Sequence, residues 1–327
     1  MTKMNVVIDL GSKFLGMSIT DRNFVWREPA VVAEDKLIQG NYIASGLSAL
    51  QKDRDDDYSC KIVYPIQNGE IVNKNAFEYL IVNALQKVLE ENVFLPRINV
   101  FCAVACSTSN DTKRIIDDIF NGIGVKKVEF VLSPIADAAI ARMEFGLSGI
   151  ITLNMGNNLT QISIVDGNEI LSGITMQWGA VNLLDKIIEY VRQKYNMAIG
   201  RIQANELLVN CVSLHPNNMS SYRLKGVNTL KNIEEVFEVS ARELYETMFS
   251  FFGKIVSVTN SLVASMSGYS MDKLRTNGVL ISGGLCAIEG IEKFLSSVFN
   301  MPIHMVSTPE NTTIEGLRLV AKNFSNN

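Results

Sequence analysis

The sequence predicts an α/β protein built from two duplicated domains, and three observations lead there. A strand, tight turn and strand occupies Gly149-Ile-Ile-Thr-Leu-Asn154-Met-Gly156-Asn-Asn-Leu-Thr160-Gln-Ile-Ser-Ile-Val165. A copy lies at Met4-Asn-Val-Val-Ile-Asp9-Leu-Gly11-Ser-Lys-Phe-Leu-Gly-Met-Ser-Ile19. Asp9 matches Asn154, Gly11 matches Gly156, Ser18 matches Ser163 and Ile19 matches Ile164, all at an offset of 145 residues. A hairpin repeated at one offset marks a duplication. Strands and helices alternate after each copy, which is the pattern of sheets covered on both faces.

Each element has its own local reason. Phe24 to Ala33 reads as an extended segment broken by Pro29. Residues 34–60 are polar, and the charge run within them, Lys52-Asp-Arg-Asp-Asp-Asp57, is expected to be a solvated loop or helix end. Ile62 to Gly69 holds a strand and an Asn-Gly turn. Phe77, Leu80, Ile81, Ala84, Leu85, Val88 and Leu89 recur at helical spacing. Ile98 to Ala105 is a buried strand, Asn110 to Gly122 a helix that Asp111 or Ser109 is placed to cap, and Val128 to Leu132 another strand. Ser133-Pro134 opens a helix over Ile135 to Met143, with proline at its first position. In the second half Asn182 is placed to cap Leu183 to Tyr195, and Ile199 to Cys211 is a further helix. Residues 213–232 look like a loop or small lobe. Val239 to Ser267 is a long helix with Leu244, Met248, Phe251, Ile255, Val258 and Leu262 inward and Phe249 and Phe252 widening the stripe. The expected domains are 1–148, with a small-lobe insertion at about 28–75, and 149–327, with one at about 183–238. The last residues are expected to return to the first domain.

Composition narrows the function. At 327 residues, 47% apolar and 20% charged, the chain reads as a soluble globular protein. A net charge of −4 gives no general attraction for nucleic acid. The five cysteines lack metal-type spacing, and Cys102 and Cys106, flanking Ala-Val-Ala, read as small structural hydrophobes. Their odd number and the absence of a leader point to the cytoplasm. No apolar run reaches the roughly 18 residues of a spanning helix. His215 and His304 stand alone and suggest no base or metal site.

The two turns carry the chemistry. Gly156-Asn157-Asn158 tolerate positive φ and bend a chain sharply. Such turns expose backbone N–H groups to phosphate oxygens. Asp9 and Asn154, beside them, can hold a hydrated Mg²⁺. A third element, Asn277 to Leu295, is a strand, the turn Ser282-Gly283-Gly284 and a helix; its glycines let a flat ring or a phosphate lie against the backbone.

Phosphate hairpin, phosphate hairpin and adenosine turn, in that order, resemble the actin-like ATPase superfamily. The strongest resemblance is to the MreB-like bacterial actins, over nearly the whole chain. Arg27-Glu-Pro-Ala-Val-Val-Ala33, Tyr64-Pro-Ile-Gln-Asn-Gly-Glu-Ile71, Glu189 to Tyr195, Ile199-Gly200, Ala204-Asn-Glu206 and Gly278 to Gly290 carry it beyond the hairpins. The resemblance implies an actin-like fold with a nucleotide cleft between its domains, and ATP with Mg²⁺ as ligand. It assigns nucleotide binding to Asp9, Gly11, Ser12, Lys13, Asn154, Gly156, Asn157, Asn158, Thr160, Glu206, Ser282, Gly283 and Gly284, with Asp9 and Asn154 reaching the metal through water. It further implies head-to-tail filaments acting in cell shape at the inner membrane surface, with other MreB-like proteins as partners. In MreB-like proteins the loop corresponding to Val93, Phe94 and Leu95 enters the bilayer.

Departures from the family pattern have a direction. Asp9-Leu10-Gly11-Ser12 is close to the family's Asp-Leu-Gly-Thr, but the second turn replaces an acid with Asn154 and two glycines with Asn157 and Asn158. Ser133 stands where a Glu orients the attacking water, Trp178-Gly179-Ala180 replaces Gly-Gly-Asp, and Leu285 replaces a third glycine. Ser133 and Gln161, at the catalytic positions, are poor general bases, so the expectation is weak or absent ATP hydrolysis. The alternative is a pseudo-ATPase scaffold that co-assembles with or regulates an active bacterial actin. A superfamily kinase or chaperone ATPase fits less well: no catalytic Asp stands out, and no substrate-binding region follows.

Overall fold

The amino-terminal copy folds into a hairpin, β1 (Met4–Leu10) and β2 (Phe14–Ile19), in which Val6 faces Ile19 and Asp9 faces Gly16. Val6, Val7 and Ile8 are all fully buried, so both faces of this sheet are covered. The computed structural model describes residues 4–22, 24–54, 59–89, 98–266 and 269–325. After the hairpin come β3 (Trp26–Pro29), β4 (Val32–Asp35), β5 (Tyr42–Ser45), α1 (Leu47–Arg54), β6 (Cys60–Val63), β7 (Ile66–Gln67) and β8 (Glu70–Ile71). Then follow α2 (Lys74–Val88), β9 (Ile98–Val104), α3 (Asn110–Gly122), β10 (Lys127–Leu132) and α4 (Ser133–Phe145). The second half contains β11 (Gly149–Met155), β12 (Thr160–Asp166), β13 (Glu169–Met176), α5 (Ala180–Tyr195), β14 (Met197–Ala198), α6 (Arg201–Asn210), β15 (Ser221–Asn228) and β16 (Ile233–Ser240). It ends with α7 (Ala241–Ala264), α8 (Tyr269–Asn277), β17 (Val279–Ser282), α9 (Ile291–Phe299), β18 (Ile303–His304) and α10 (Thr312–Ser325).

The duplication is visible in the sheets. One five-stranded sheet has the order β3-β2-β1-β9-β10, and the other β13-β12-β11-β17-β18. In each, the first hairpin strand receives a parallel strand, β9 on β1 and β17 on β11, and a second parallel strand follows. Asp9 lies beside Ala103 in the first register and Asn154 beside Ser282 in the second. The chain divides into two compact units, Met1–Ser148 with Val165–Ile170 and Glu310–Asn327, and Gly149–Ile164 with Leu171–Pro309.

In the first unit, α10 lies on the Ala-rich helix α4, and Ile314, Leu317 and Ala321 join a core with Val7, Phe101 and Ala136. The approach depends on Gly316, where a Cβ would stand 1.9 Å from the Ala136 carbonyl oxygen. Arg142 of α4 donates to the Gly167 carbonyl and to Asn168, which ties the 165–170 turn to the same unit. Asn68 (φ 52°) and Gly69 (φ 78°) form the left-handed pair expected of the Asn-Gly turn. Within the polar stretch after residue 34, β5, β4 and β6 form a three-stranded sheet with Ala33, Ala44, Ala49 and Cys60 as its small core; the charge run begins in the last turn of α1, and residues 55–57 lie outside the described residues. At α3 the cap is Ser109, whose hydroxyl accepts from the Thr112 N–H at 3.1 Å. Cys102 is buried as expected, whereas Cys106 is exposed.

In the second unit one reading is narrowed and one corrected. Residues 213–232 contain β15, which pairs with β16 from Ser221↔Ser240 to Asn228↔Ile233. Its buried positions Leu224, Gly226 and Asn228 alternate as a strand should, but Gly226 breaks the apolar pattern. A Cβ there would meet the Ala198 carbonyl at 3.0 Å and the Phe237 ring at 3.1 Å. Asn182 is not the cap of α5: the helix begins at Ala180, and Asn182, in its first turn, accepts from the Gly179 N–H. The long helix starts at Ala241, behind Ser240 and Glu243, which bond reciprocally as a capping box. Phe252 is buried in its stripe, while Phe249 is partly exposed and packs edge-on against Phe294.

Two glycines test this packing. Gly316→Ala is expected to destabilise the protein by about 1–3 kcal/mol, because the overlap outweighs the helix propensity gained. Gly253→Ala, in α7 with nothing within 4 Å of the new Cβ, is expected to stabilise by up to ~1 kcal/mol. Chemical denaturation of both variants reads the signs; equal signs contradict the packing account.

Candidate nucleotide site

The first turn is closed by a steric limit, not by a left-handed backbone. Neither Gly11 nor any of Gly156, Asn157 and Asn158 has positive φ, which corrects the expectation for the second turn. Glycine is needed because a Cβ on Gly11 would lie 2.4 Å from the Phe14 carbonyl oxygen. At the second turn the matching distance, Gly156 to the Leu159 carbonyl, is 3.1 Å, and the Gly156 N–H donates to that carbonyl at 2.8 Å. The asparagines are therefore tolerated without strain. The amides of Gly11, Ser12, Asn157 and Asn158 donate to no backbone carbonyl among the described residues. Unspent amides in consecutive positions are what a phosphate oxygen requires.

Around Asp9 the structure gathers charges that the sequence did not bring together. Desolvation, then the like charge of Asp137, pushes the Asp9 carboxyl up to about 7, and Arg27 opposes the shift. Asp137 is fully buried on α4, one turn beyond Ser133, and accepts from the Thr313 hydroxyl at 2.7 Å. It is the only charged residue in the run Ser133 to Ala141, which is the signal that could have found it. Arg27 lies 4.4 Å and the Lys13 ammonium 6.0 Å from the Phe14 ring centroid. Desolvation and the Arg27 charge hold Lys13 below its ordinary pKa. Desolvation also lowers Arg27, against the pull of Asp9 and Glu310. An exposed Lys13 and Arg27 beside the turn are suited to polyanionic phosphate. Among the described residues no cluster of His, Cys, Asp or Glu could cage a metal directly. Two carboxylates, Asp9 and Asp137, interact here, and a hydrated Mg²⁺ held through water is the kind of cation such a pair suits.

The second turn is braced from α5. The Ala180 and Val181 amides donate to the Gly156 and Asn157 carbonyls at 3.1 and 2.9 Å. Thr160 is fully buried and gives its hydroxyl to the Trp178 carbonyl, so it holds the turn's shape. Gln161 is also buried. Ser133 is buried and donates to the Val104 carbonyl at 3.1 Å, which anchors the start of α4 to β9. At the third element Ser282 is buried, and Gly283 has φ 92° and donates its N–H to the Pro309 carbonyl. A Cβ on Gly283 would lie 2.5 Å from the Met155 carbonyl and 3.0 Å from Asn154 Oδ1, so the Ser282-Gly283-Gly284 turn presses on the end of β11. Gly284 is exposed with open space beside it, and Leu285, in place of a glycine, is a core residue. Glu206 is half-buried on α6, an element apart from these turns. Val93, Phe94 and Leu95 lie outside the described residues.

Duplicated sheets of this order, each opening on a glycine-closed turn, define an actin-like protein. The MreB/Mbl protein family matches residues 3–327, and the chain belongs to that family. The cell shape-determining protein Mbl of Bacillus subtilis (strain 168) is 21% identical over 322 residues, covering 98% of this chain and 96% of its own. MreB5 of Spiroplasma citri bound to AMPPNP shares the fold with a TM-score of 0.91 at 21% identity, covering 100% of this chain and 99% of its own; it has also been solved with ADP. The MamK double helical filament gives a TM-score of 0.80 at 14% identity, with 98% of both chains covered.

The charge cluster makes a pH prediction. An acid whose pKa rises from 3.8 to about 7 on folding takes up a proton between those values. The ligand-free protein therefore loses stability as pH rises through that interval, relative to Asp9→Asn. Asp137→Asn should shrink the loss by removing the like charge, and Arg27→Ala should enlarge it. Denaturation midpoints across that interval measure this; a wild-type profile parallel to that of Asp9→Asn contradicts it.

Proposed function

We propose that this MreB-like actin homologue binds ATP with Mg²⁺, polymerises head to tail, and acts as a cytoskeletal filament in cell shape at the membrane surface. The observation that carries the reading is the pair of glycine-closed turns at equivalent places in two equivalent sheets, each with unspent amides. Relatives add support: MreB5 has been solved with AMPPNP and with ADP, and MamK as a filament. They favour a filament former over a co-assembling regulator. Gly11, Ser12, Asn157 and Asn158 would bind phosphate through their amides, and Lys13 through its charge. Ser282, Gly283 and Gly284 would support the adenosine, with Glu206 on its far side. Mg²⁺ would offset the phosphate charge, held through water chiefly by Asp9, because Asn154 brings no charge.

Hydrolysis is slow in this reading. Ser133 spends its hydroxyl on Val104, Gln161 is buried, and neither is a base near pH 7. No helix among the described residues is long and apolar enough to cross a membrane. Membrane contact is assigned to Val93, Phe94 and Leu95. Three such side chains contribute about 3–5 kcal/mol per protomer at roughly 25 cal/mol per Å². That is marginal for one protomer and firm for a filament that repeats the loop.

Pelleting and negative-stain imaging with and without ATP and Mg²⁺ test the proposal, with phosphate release measured alongside. Filaments that form with ATP and release phosphate slowly are expected; a soluble monomer under all conditions contradicts polymerisation. Filaments, but not monomers, should float with liposomes. Flotation unchanged in Phe94→Ser with Leu95→Ser contradicts the membrane assignment.

A further inference from the structure

The departure Trp178-Gly179-Ala180 has a structural counterpart that the nucleotide reading does not use. The Trp178 ring stacks on Phe251 of α7, with centroids 5.2 Å apart and planes 16° from parallel. Its indole N–H donates to the Phe251 carbonyl at 3.2 Å. Two cations close over the ring, Lys254 of α7 at 3.9 Å and Lys186 of α5 at 5.7 Å from the centroid. Neither lysine forms an ion pair among the described residues. On its other side the residue is joined to the second phosphate turn. Its carbonyl accepts from Thr160, and the next residues bring the Ala180 and Val181 amides to the Gly156 and Asn157 carbonyls. Gly179 makes this contact possible, since a Cβ would lie 2.5 Å from the Asn157 carbonyl.

We propose that Trp178 is a positioning residue that sets the second phosphate turn and couples its occupancy to α7. The inference rests on the nucleotide reading above. A flexible Gly-Gly at this place would let the turn and the start of α5 move independently of α7. A ring gripped by Phe251 and Lys254 makes them one body, because a shift of the turn on phosphate binding must drag the Trp178 backbone and either slide the ring or carry α7 with it. Trp178 acts through the turn and has no assigned contact with the nucleotide.

The test uses full-length protein carrying Trp26→Phe, which leaves Trp178 as the one tryptophan. Mg-ATP binding is followed by calorimetry and by Trp178 emission in parallel. The expected result is an emission change that saturates at the calorimetric Kd. Lys254→Met, at an exposed position, should keep the fold and reduce the emission change, which direct quenching by the nucleotide would not do. Trp178→Gly should weaken Mg-ATP binding about tenfold, and Trp178→Phe, which keeps a stack but loses the indole N–H, by less. ATP binding with unchanged emission, or an unchanged Kd in Trp178→Gly, overturns this inference alone. No binding of ATP by calorimetry overturns the nucleotide reading, and this inference with it.

Discussion

At three glycines, one in the first unit and two in the second, a carbonyl oxygen leaves no room for a side chain. A Cβ would meet the Phe14 oxygen at 2.4 Å from Gly11, the Asn157 oxygen at 2.5 Å from Gly179, and the Met155 oxygen at 2.5 Å from Gly283. Real Cβ atoms do not come so close to oxygen, so backbone meets backbone at these points. Close backbone contact is how a protein presents amides to a phosphate without interposed side chains. In each unit the turn stands at the end of a buried hairpin, which supplies its rigidity.

That constraint explains which family departures the chain tolerates. Asn157 and Asn158 replace glycines in a turn without positive φ, so no backbone strain follows. Leu285 replaces a glycine where the side chain runs into the core, away from the turn. Gly11, Gly179 and Gly283, where a side chain has no space, are kept. What has been lost is charge and basicity, at Asn154, Ser133 and Ala180. A buried Asp137 stands near Asp9, and Trp178, two residues before Ala180, is clamped against Phe251.

Much of this was legible because it is local. Asp9 to Ser18 and Asn154 to Ser163 announce the duplication through spacing alone, and Ser133-Pro134 and Asn68-Gly69 announce their helix start and turn through backbone preference. What was not legible depends on contacts between distant segments. Asp137 gains meaning only when Thr313, 176 residues away, donates to it and Asp9 lies within reach. Trp178 reads as an odd residue until Phe251 packs beneath it. β15 was hidden because Gly226, needed for close approach to Ala198, interrupts its alternation. The steric reason for the turn glycines was likewise invisible, since composition cannot separate a left-handed glycine from a crowded one.

The central point of the proposal is that Asp9, the acid at the first turn, contributes more to nucleotide affinity than Asn154, the amide at the second. Titration of Mg-ATP into the wild type, Asp9→Ala and Asn154→Ala measures it most directly. The account predicts a larger loss of affinity for Asp9→Ala than for Asn154→Ala. Unchanged affinity in Asp9→Ala, with binding abolished in Asn154→Ala, would contradict it.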